Sequence, residues 1–281
     1  MDDIFRTKDQ IQLNFNDGTT LIVDPKVAKL IGDLQNNNSM SLPYFFDLGT
    51  RLNNYSDLII HFYAYIFLNR KLSKSQLFQD LFVAFNLNEK RNGTFLEFGA
   101  TDGVNLSNSY LLENSYDWKG VLAEPSPQWH DSLNINRPNC KIINDCIYSE
   151  SGKELDFFVS NAGKLSTLEE YRYSDHQAMP GNTKVRNGEG YTTKVSSISL
   201  NDVFIKYFES SPIDYMSVDT EGSEFDILRN FDFQKFGPKI VTVEHNFTDQ
   251  QKKLDELFAS NCYVRYFREH TQFDAWYVRQ S

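Results

Sequence analysis

Acidic residues end three successive apolar segments of this sequence, at positions where a bound ligand would meet them. Glu97 closes the first segment, and the glycine turn 99–103 that follows contains a second acid, Asp102. Glycine permits a sharp strand-to-helix turn and a close approach of the backbone to a ligand. Carboxylates at such a turn repel a pyrophosphate, and they suit a ligand that joins positive charge to a ribose diol, as S-adenosylmethionine does.

The next two segments extend this pattern. Residues 118–125 carry Glu124 at their end, and an acid at the tip of the second strand grips ribose hydroxyls in doubly wound nucleotide folds. Residues 141–146 carry Asp145 at their end, where an adenine ring would lie. A solvated strand end is the simpler interpretation of each acid alone, but three acids at three successive tips favour a cofactor site. The predicted cofactor-binding residues are Glu97, Gly99, Ala100, Asp102, Gly103, Glu124, Pro125, Asp145 and Cys146.

Five blocks of the sequence carry a family resemblance, and they are residues 75–83, 92–108, 120–125, 214–228 and 243–246. Taken in order, these blocks resemble the FkbM family of S-adenosylmethionine-dependent methyltransferases. The resemblance spans roughly residues 75 to 280, and the Asp-Thr-Glu-Gly-Ser-Glu block at 219–224 is distinctive. Members of this family are thought to methylate hydroxyl groups, often on sugars or polyketides. The resemblance therefore implies an O-methyltransferase without implying a particular substrate.

A second group of polar residues is placed to meet the methyl acceptor. Asp219 and Glu221 follow the fourth main strand, and Glu244 and His245 end the fifth, so both pairs open onto one crevice at the carboxyl ends of the strands. Methyl transfer is an in-line displacement that needs an oriented acceptor and a group to take its proton. His245 is the predicted base, because the unperturbed pKa of histidine lies nearest neutral pH. Asp219, Glu221, Glu244 and His245 are the predicted catalytic residues.

Other roles for these residues stay open. A hard cation such as Mg²⁺, held by Asp219 and Glu244, would lower the pKa of a sugar hydroxyl, and some sugar methyltransferases of other families use a metal at equivalent strand ends. His245 also fits a hydrogen-bonded structural histidine. Glu224 is more simply an acid in the first turn of a helix, where the helix dipole favours it.

Some polar and aromatic residues outside these groups could also border the site. Gln79 and Asp80 precede the first strand and could close one side of the cofactor pocket. Ring side chains are the other candidates, near the adenine or against a sugar face, although plain packing is the favoured interpretation for all of them. They are Trp129, His130, Tyr171, Tyr173 and Trp276.

The elements that must position these residues begin with an N-terminal extension. Alternating apolar residues in 11–23, with Asp17-Gly18 between them, predict a β-hairpin. Residues 26–90 read as helical, and apolar residues in 76–85 recur at helical spacing. We therefore predict an extension over residues 1–90 and a catalytic domain over 91–281.

Strands and helices alternate from residue 95 onward, which predicts a parallel sheet with crossover helices. Ser126 and Pro127 are typical of the N-cap and the first turn of a helix. Residues 160–190 are rich in glycine and lack periodicity, so we expect a mobile lid or a disordered loop.

Segments 263–267 and 275–278 are too close in sequence for a parallel return, so they predict an antiparallel pair. The fold class is therefore α/β, a Rossmann-like doubly wound sheet of the class I methyltransferase type, mostly parallel with an antiparallel C-terminal hairpin. The other predicted strands are 154–159, 191–198, 213–218 and 239–243.

Composition limits the partners of this protein. The formal net charge of -10 and the pI near 5.0 argue against a nucleic-acid partner, since nucleic-acid affinity depends on Lys and Arg contacts with phosphate. A small-molecule or glycan acceptor is expected instead. The three cysteines show no disulfide or zinc spacing, which fits a reducing compartment and predicts a cytoplasmic protein. Residues 1–6 lack the layout of a signal peptide, and the apolar segment 58–68 is too short to span a membrane.

Two functions of other classes compete with methyl transfer. An NAD-linked enzyme on a similar sheet is disfavoured, because the Gly-x-Gly-x-x-Gly spacing is absent and acids occupy the first turn. A catalytically silent module that binds the cofactor or a glycan is disfavoured by the complete set of strand-end acids. The sequence indicates no oligomeric state.

Overall fold

The computed structural model describes residues 11–14, 20–23 and 57–280 of the chain. The chain divides into two compact units, residues 1–72 and 73–281. The predicted boundary at residue 90 thus lies inside the second unit. The hairpin turn and the predicted helical residues 26–56 lie outside the described residues.

The first unit contains a short hairpin and a helix. Strands β1 (Ile11–Asn14) and β2 (Thr20–Val23) pair antiparallel, with Leu13 opposite Leu21, as the alternating sequence predicts. Helix α1 (Asp57–Asn69) covers the apolar segment that the sequence assigns to a helix. Among the described residues, no helix combines the length and the apolar character needed to cross a bilayer.

The second unit begins with alternating helices and strands, and three further strands and a helix complete its first half. Its elements there are α2 (Gln79–Asn86), β3 (Thr94–Phe98), α3 (Tyr110–Tyr116), β4 (Lys119–Ala123), α4 (Pro127–Asn136), β5 (Lys141–Ile143), β6 (Cys146–Tyr148), β7 (Glu154–Ser160), β8 (Thr167–Leu168) and α5 (Pro180–Arg186). The second half continues with β9 (Gly190–Ser199), α6 (Leu200–Tyr207), β10 (Tyr215–Val218), α7 (Glu224–Leu228), α8 (Phe233–Phe236), β11 (Ile240–Glu244), α9 (Gln250–Ser260), β12 (Tyr263–Tyr266) and β13 (Asp274–Arg279).

A seven-stranded sheet organises the second unit. Its strand order is β5-β4-β3-β10-β11-β13-β12, in which the first five strands run parallel and β13 runs antiparallel to both of its neighbours. This is the class I methyltransferase sheet, and it confirms the predicted fold class and the antiparallel C-terminal pair. All four residues of β10 are buried, as expected of a central parallel strand that is covered on both faces.

A second sheet, which the sequence did not indicate as separate, has the order β6-β9-β7-β8. Strand β6 begins directly after β5 and pairs parallel with β9, so the predicted third strand at 141–146 is divided between two sheets. Strands β7 and β9 pair antiparallel over seven residues and contribute Phe157 and Val195 to a small apolar cluster. The second sheet thereby brings apolar side chains close to the end of β5.

Two local predictions need correction. Ser126 and Pro127 do begin α4, but the Ser126 hydroxyl makes no capping hydrogen bond. Residues 160–190 contain β8, a 3-10 turn and α5, so this segment has regular structure where the sequence indicated none.

Gly99 is the position where the main sheet leaves least room. It follows β3 with a φ of +83°, a region that favours glycine, and its amide donates to the Ala123 carbonyl at 3.1 Å. A Cβ at this position would overlap the carbonyl oxygen of Asp219, which follows β10. The ends of β3 and β10 can approach each other this closely only because residue 99 has no side chain.

We expect Gly99→Ala to destabilise the protein far more than Gly152→Ala does. Gly152 has a similar φ of +79°, but a Cβ there would meet nothing within 4 Å. The control therefore measures backbone strain alone, about 1–2 kcal/mol. Overlap with Asp219 should add about 1–3 kcal/mol more in the Gly99 variant. Urea unfolding of the two variants measures the difference, and equal losses of stability would contradict the close approach.

Candidate functional site

A cavity of about 410 Å³ opens at the carboxyl ends of the central parallel strands. Strands β4 and β5 lie on one side of β3, and β10, which comes later in the chain, lies on the other side. The cavity lies at this change of direction in strand order, which is the usual ligand position in open α/β sheets. Much of its lining comes from the ends of these strands, from residues 105–108 and from residues 162–166 and 168. Its volume is within the range of small-molecule sites.

Glu97, at the end of β3, is held by the loop that follows it. Its carboxylate accepts from the Ser107 hydroxyl at 2.9 Å, from the Asn108 amide at 2.8 Å and from the Ser109 hydroxyl. The side chain is 3% exposed and lines the cavity. Donors on three consecutive residues therefore fix the carboxylate in one orientation.

Glu124, after β4, is held in the same way by backbone amides. It accepts from Thr101 N and from Ser126 N, each at 2.8 Å, and it lines the cavity. Thr101 has a φ of +46°, an uncommon conformation for a residue with a side chain, and this backbone turn points its amide at Glu124. Burial raises the pKa of Glu124 to about 7, against the effect of the two amide hydrogen bonds.

The structure divides the predicted cofactor residues into two groups. Six of the nine line the cavity, and three do not. Asp102 instead accepts from Val104 N and Asn105 N within its own turn, Gly103 bonds Arg137 through its carbonyl, and Asp145 is half-buried beyond the end of β5. Those that line it are Glu97, Gly99, Ala100, Glu124, Pro125 and Cys146. Asp102, Gly103 and Asp145 thus lie near a turn or a strand end but do not line the cavity.

Three of the four predicted catalytic residues meet on the other side of the cavity. Carboxylate oxygens of Asp219, Glu221 and Glu244 all lie within 4.8 Å of one another. Burial, with the nearby Glu224 and Asp274 carboxylates, raises the pKa of Asp219 to about 8. Burial and the Asp219 carboxylate raise the pKa of Glu244 well above its usual range. A hydrogen bond from Asn246 Nδ2 at 2.7 Å holds Glu244 in place.

His245 is not part of this group. Side chains alternate along a strand, so Glu244 points into the cavity and His245 points away from it. The imidazole is 1% exposed, its Nε2 lies 3.1 Å from the Asp274 carbonyl oxygen, and its Nδ1 accepts from Phe247 N. Burial and Arg265 lower its pKa to about 4. The structure therefore gives His245 the hydrogen-bonded structural position that the sequence left open.

Asp274, the first residue of β13, borders the cavity although no sequence pattern indicated it. Its carboxylate accepts from Gln79 Nε2 at 2.8 Å and from Trp276 Nε1 at 3.0 Å. Burial raises its pKa to about 6. Because β13 runs antiparallel, its beginning lies at the same sheet edge as the ends of the parallel strands.

The remaining candidates mostly serve the structure around the cavity. Gln79 lines it, whereas Asp80 binds Ser73 and Lys74 in the preceding turn. Glu224 accepts from the amides of Thr220 and Gly222 at 3.0 Å each and closes the turn after β10. The aromatic candidates lie outside the cavity lining. They are Trp129, His130, Tyr171, Tyr173 and Trp276.

Arg186, in α5, ties residues 160–190 to the carboxylate group and was not indicated by the sequence. Its guanidinium is fully buried, donates to Asp175 at 2.7 Å and forms an ion pair with Glu221. It also donates to the Leu165 carbonyl at 3.1 Å. One arginine thus joins two turns of the segment to the residues that follow β10.

Comparison with known proteins adds a family match. The protein-family model of the methyltransferase FkbM domain matches residues 97–276 of the sequence. No curated protein matches the sequence significantly. Similar solved structures include a precorrin-6y C5,15-methyltransferase from Geobacter metallireducens, at 11% identity with a TM-score of 0.38 over 72% of this chain and 87% of that one. Fibrillarin from Aeropyrum pernix, solved with S-adenosyl-L-methionine bound, is 11% identical with a TM-score of 0.36 over 73% and 75%. A TehB-like S-adenosylmethionine-dependent methyltransferase from Corynebacterium glutamicum is 9% identical with a TM-score of 0.38 over 78% and 96%.

The raised pKa values predict that the protein loses stability as the pH rises from 6.5 to 8.5. Glu124, Asp219 and Glu244 have folded-state pKa values above those of the unfolded chain, so the folded state binds more protons in this window. The lowered pKa of His245 acts in the opposite direction, but only below about pH 6.5. Each kcal/mol lost should lower Tm by roughly 2–4 °C.

Thermal unfolding of the ligand-free protein across this range measures the effect. Asp219→Asn should flatten the curve, because the variant lacks one of the titrating groups. A Tm that is constant or rises between pH 6.5 and 8.5 would show that these carboxyl groups are hydrated and unperturbed.

Proposed function

The chain belongs to the FkbM methyltransferase family, whose model covers more than half of it, and we propose that it transfers a methyl group from S-adenosylmethionine to a hydroxyl group of a sugar, a glycan or another small molecule. The family match confirms the resemblance given by the sequence blocks. A single observation carries the proposal about chemistry. One cavity brings Glu97 and Glu124, at the ends of β3 and β4, together with the carboxylates of Asp219 and Glu244, at the ends of β10 and β11.

The first two strand ends suit the donor. Glu124 has a fixed carboxylate that can accept hydrogen bonds from both hydroxyls of a ribose diol. Ile147, Phe157 and Leu168 give the cavity an apolar wall next to Glu124 that suits an adenine ring. S-adenosylmethionine, when bound, supplies the electrophilic methyl group. Its sulfonium charge fits a cavity in which six of the lining residues described are acids and Lys164 is the one cation.

The next two strand ends suit the acceptor. A hydroxyl group must lose its proton as it attacks, and a base works best when its pKa lies near the working pH. Asp219 meets that condition, because burial raises its pKa to about 8. Glu244 and Asn246 stand beside it and can orient the hydroxyl. We therefore assign the role of base to Asp219 and leave His245, which points away from the cavity, out of the reaction.

A divalent cation is the second candidate mechanism at the same position, favoured by the close approach of three carboxylates. Asp219 and Glu244 have oxygen ligands that suit Mg²⁺, whereas Glu221 is already paired with Arg186. A cation there would lower the pKa of the acceptor hydroxyl. In either mechanism Asp219 and Glu244 hold the acceptor side of the site.

The charge of the cavity supports an uncharged acceptor. Phosphate groups of a nucleic acid would meet Asp219, Glu244 and Asp274 without a compensating row of cations among the described lining residues. Carboxamides, by contrast, donate and accept hydrogen bonds with neutral hydroxyl groups. Those lining the cavity are Gln76, Gln79, Asn105, Asn108, Asn182 and Asn246.

We expect Glu124→Gln to weaken binding of S-adenosylhomocysteine, a non-reactive product, by roughly tenfold or more, since hydrogen bonds to a charged group are lost. In the wild type, affinity should rise with pH through about 7, because the ionised carboxylate is the better acceptor for the ribose diol. The variant should lack this pH dependence. Calorimetric titration at pH 6, 7 and 8 measures both effects.

Glu150→Gln is the control for this titration, since the exposed Glu150 side chain pairs with Lys153 at the surface. Equal affinities of the wild type and Glu124→Gln at all three pH values would remove Glu124 from the donor site.

We further expect Asp219→Asn and Glu244→Gln each to reduce turnover by roughly 10²-fold or more, the usual effect of losing a positioned acid or base, with donor affinity nearly unchanged. Transfer from radiolabelled S-adenosylmethionine to a panel of glycans identifies an acceptor and measures the rate. Asp156→Asn, which removes an exposed partner of Lys194, is the matched control.

A chelator separates the two mechanisms. If activity falls with EDTA and returns with Mg²⁺, Asp219 and Glu244 act as metal ligands. If EDTA does not change the activity, Asp219 acts directly as the base. Full activity of both variants on a verified acceptor would place the reaction centre elsewhere. Donor binding with no transfer to any acceptor would favour the silent binding module.

A further inference from the structure

Helix α5 presents one face to the cavity, close to the group of three carboxylates. Met179, which precedes the helix, and Asn182 and Val185 within it all line the cavity, and we call these three residues the α5 face. Residues three apart lie on the same side of a helix. Arg186, which follows Val185, forms an ion pair with Glu221. The α5 face therefore borders the part of the cavity where the acceptor hydroxyl would react.

The segment that carries α5 is attached to the turn after β10. Thr167 Oγ1 donates to the Glu221 carbonyl oxygen at 3.1 Å, and the Tyr171 hydroxyl donates to the Asp226 carboxylate at 2.7 Å. The same turn begins with Asp219, the residue proposed as the base. These bonds hold α5 and Asp219 in one arrangement. They favour a fixed wall of the site over a lid that opens and closes.

Asn182 is the polar member of the α5 face, and a buried ion pair fixes its orientation. Its Nδ2 donates to Asp175 Oδ2 at 2.8 Å, and the other oxygen of that carboxylate accepts from Arg186 at 2.7 Å. Asp175 is 3% exposed and Arg186 is fully buried. An ionised carboxylate can only accept hydrogen bonds, so the amide nitrogen must face it and Oδ1 must point away. None of the described residues donates to this oxygen, which is free to accept from a ligand.

The other two members of the α5 face are apolar and lie on either side of Asn182. Val185 is 37% exposed although it is apolar and lines the cavity. Ligand sites typically combine apolar surface with a few polar groups that orient the ligand. Met179 and Val185 supply the apolar surface here, and Asn182 supplies the orienting group. A ring that carries both C–H bonds and hydroxyl groups fits this combination.

We propose that the α5 face binds the methyl acceptor. Asn182 Oδ1 accepts a hydrogen bond from a hydroxyl group other than the one that is methylated, and Met179 and Val185 pack against the C–H bonds of the ring. The acceptor is then a polyhydroxylated ring, as in a sugar, and not an alcohol with a single hydroxyl group. Asn182 is a specificity residue for this acceptor. The inference rests on the proposed function, because it takes a hydroxyl acceptor from it.

The test measures transfer from radiolabelled S-adenosylmethionine to methyl glycosides of hexoses and to the monodeoxy analogues of each. For the best of these acceptors, Asn182→Ala should raise the acceptor KM roughly tenfold and leave kcat within about twofold, since the lost hydrogen bond serves binding alone. One monodeoxy analogue lacks the hydroxyl group that Asn182 binds. For that analogue, the wild type and Asn182→Ala should have KM values within about twofold of each other.

A second variant tests the apolar part of the α5 face. Val185→Ser should raise the KM of every acceptor by a similar factor, the monodeoxy analogues included, because packing against the ring does not depend on one hydroxyl group. Asn187→Ala and Ile205→Ser are the matched controls, since both side chains are exposed and lie outside the cavity lining. Neither control should change the acceptor KM.

Folding and donor binding are followed in the same variants. Thermal unfolding identifies a loss of folding, and calorimetric titration with S-adenosylhomocysteine measures the donor site. Asn182→Ala should leave the affinity for S-adenosylhomocysteine unchanged, because the α5 face contacts the acceptor and not the donor.

Three results would overturn the assignment. An unchanged KM in Asn182→Ala, on a compound that the wild type methylates, would remove this residue from the acceptor site. Equal KM increases for the parent glycoside and all of its monodeoxy analogues would show that Asn182 only supports α5. Wild-type protein that binds S-adenosylhomocysteine but methylates none of the glycosides would show that the α5 face does not bind a sugar. Wild-type protein that does not bind S-adenosylhomocysteine would contradict the proposed function itself and, with it, this acceptor site.

Discussion

The concentration of carboxyl groups away from water, at one edge of the main sheet, is the constraint that shapes the rest of the site. Burying a carboxylate is costly unless hydrogen bonds replace its hydration. Glu97, Glu124 and Glu224 therefore each accept hydrogen bonds from amides or hydroxyls of the loops around them. Thr101 and Glu221 both have a positive φ. Such uncommon backbone conformations occur where the surrounding structure stabilises them, and here they orient polar groups of the site.

Much of the fold and part of the site could be predicted from the sequence because both follow from strand periodicity. Apolar runs locate parallel strands, and the carboxyl ends of such strands meet at one edge, so Glu97, Glu124, Asp219 and Glu244 come together as expected. The prediction that His245 faces the cavity was wrong, because neighbouring side chains along a strand point to opposite faces. The predicted base was thus one position away from the cavity.

Residues that the sequence did not reveal depend on contacts between distant parts of the chain. Asp274 reaches the site from an antiparallel strand, whose first residue, and not its last, lies at the functional edge. Arg186 lies among glycine-rich turns with no local pattern, and its partners Asp175 and Glu221 are 11 and 35 positions away. Ion pairs of this kind leave no periodic signal, which is why residues 160–190 appeared irregular.

The acidic lining of the cavity also bears on what happens after transfer. A sulfonium donor with its ammonium and carboxylate groups carries one net positive charge, and the thioether left behind carries none. In the proposed reaction, the ionised carboxyl groups of the cavity lining attract the charged donor and not the uncharged thioether. In that reaction the acidic lining would oppose product inhibition, because each methyl transfer removes the positive charge that the lining attracts.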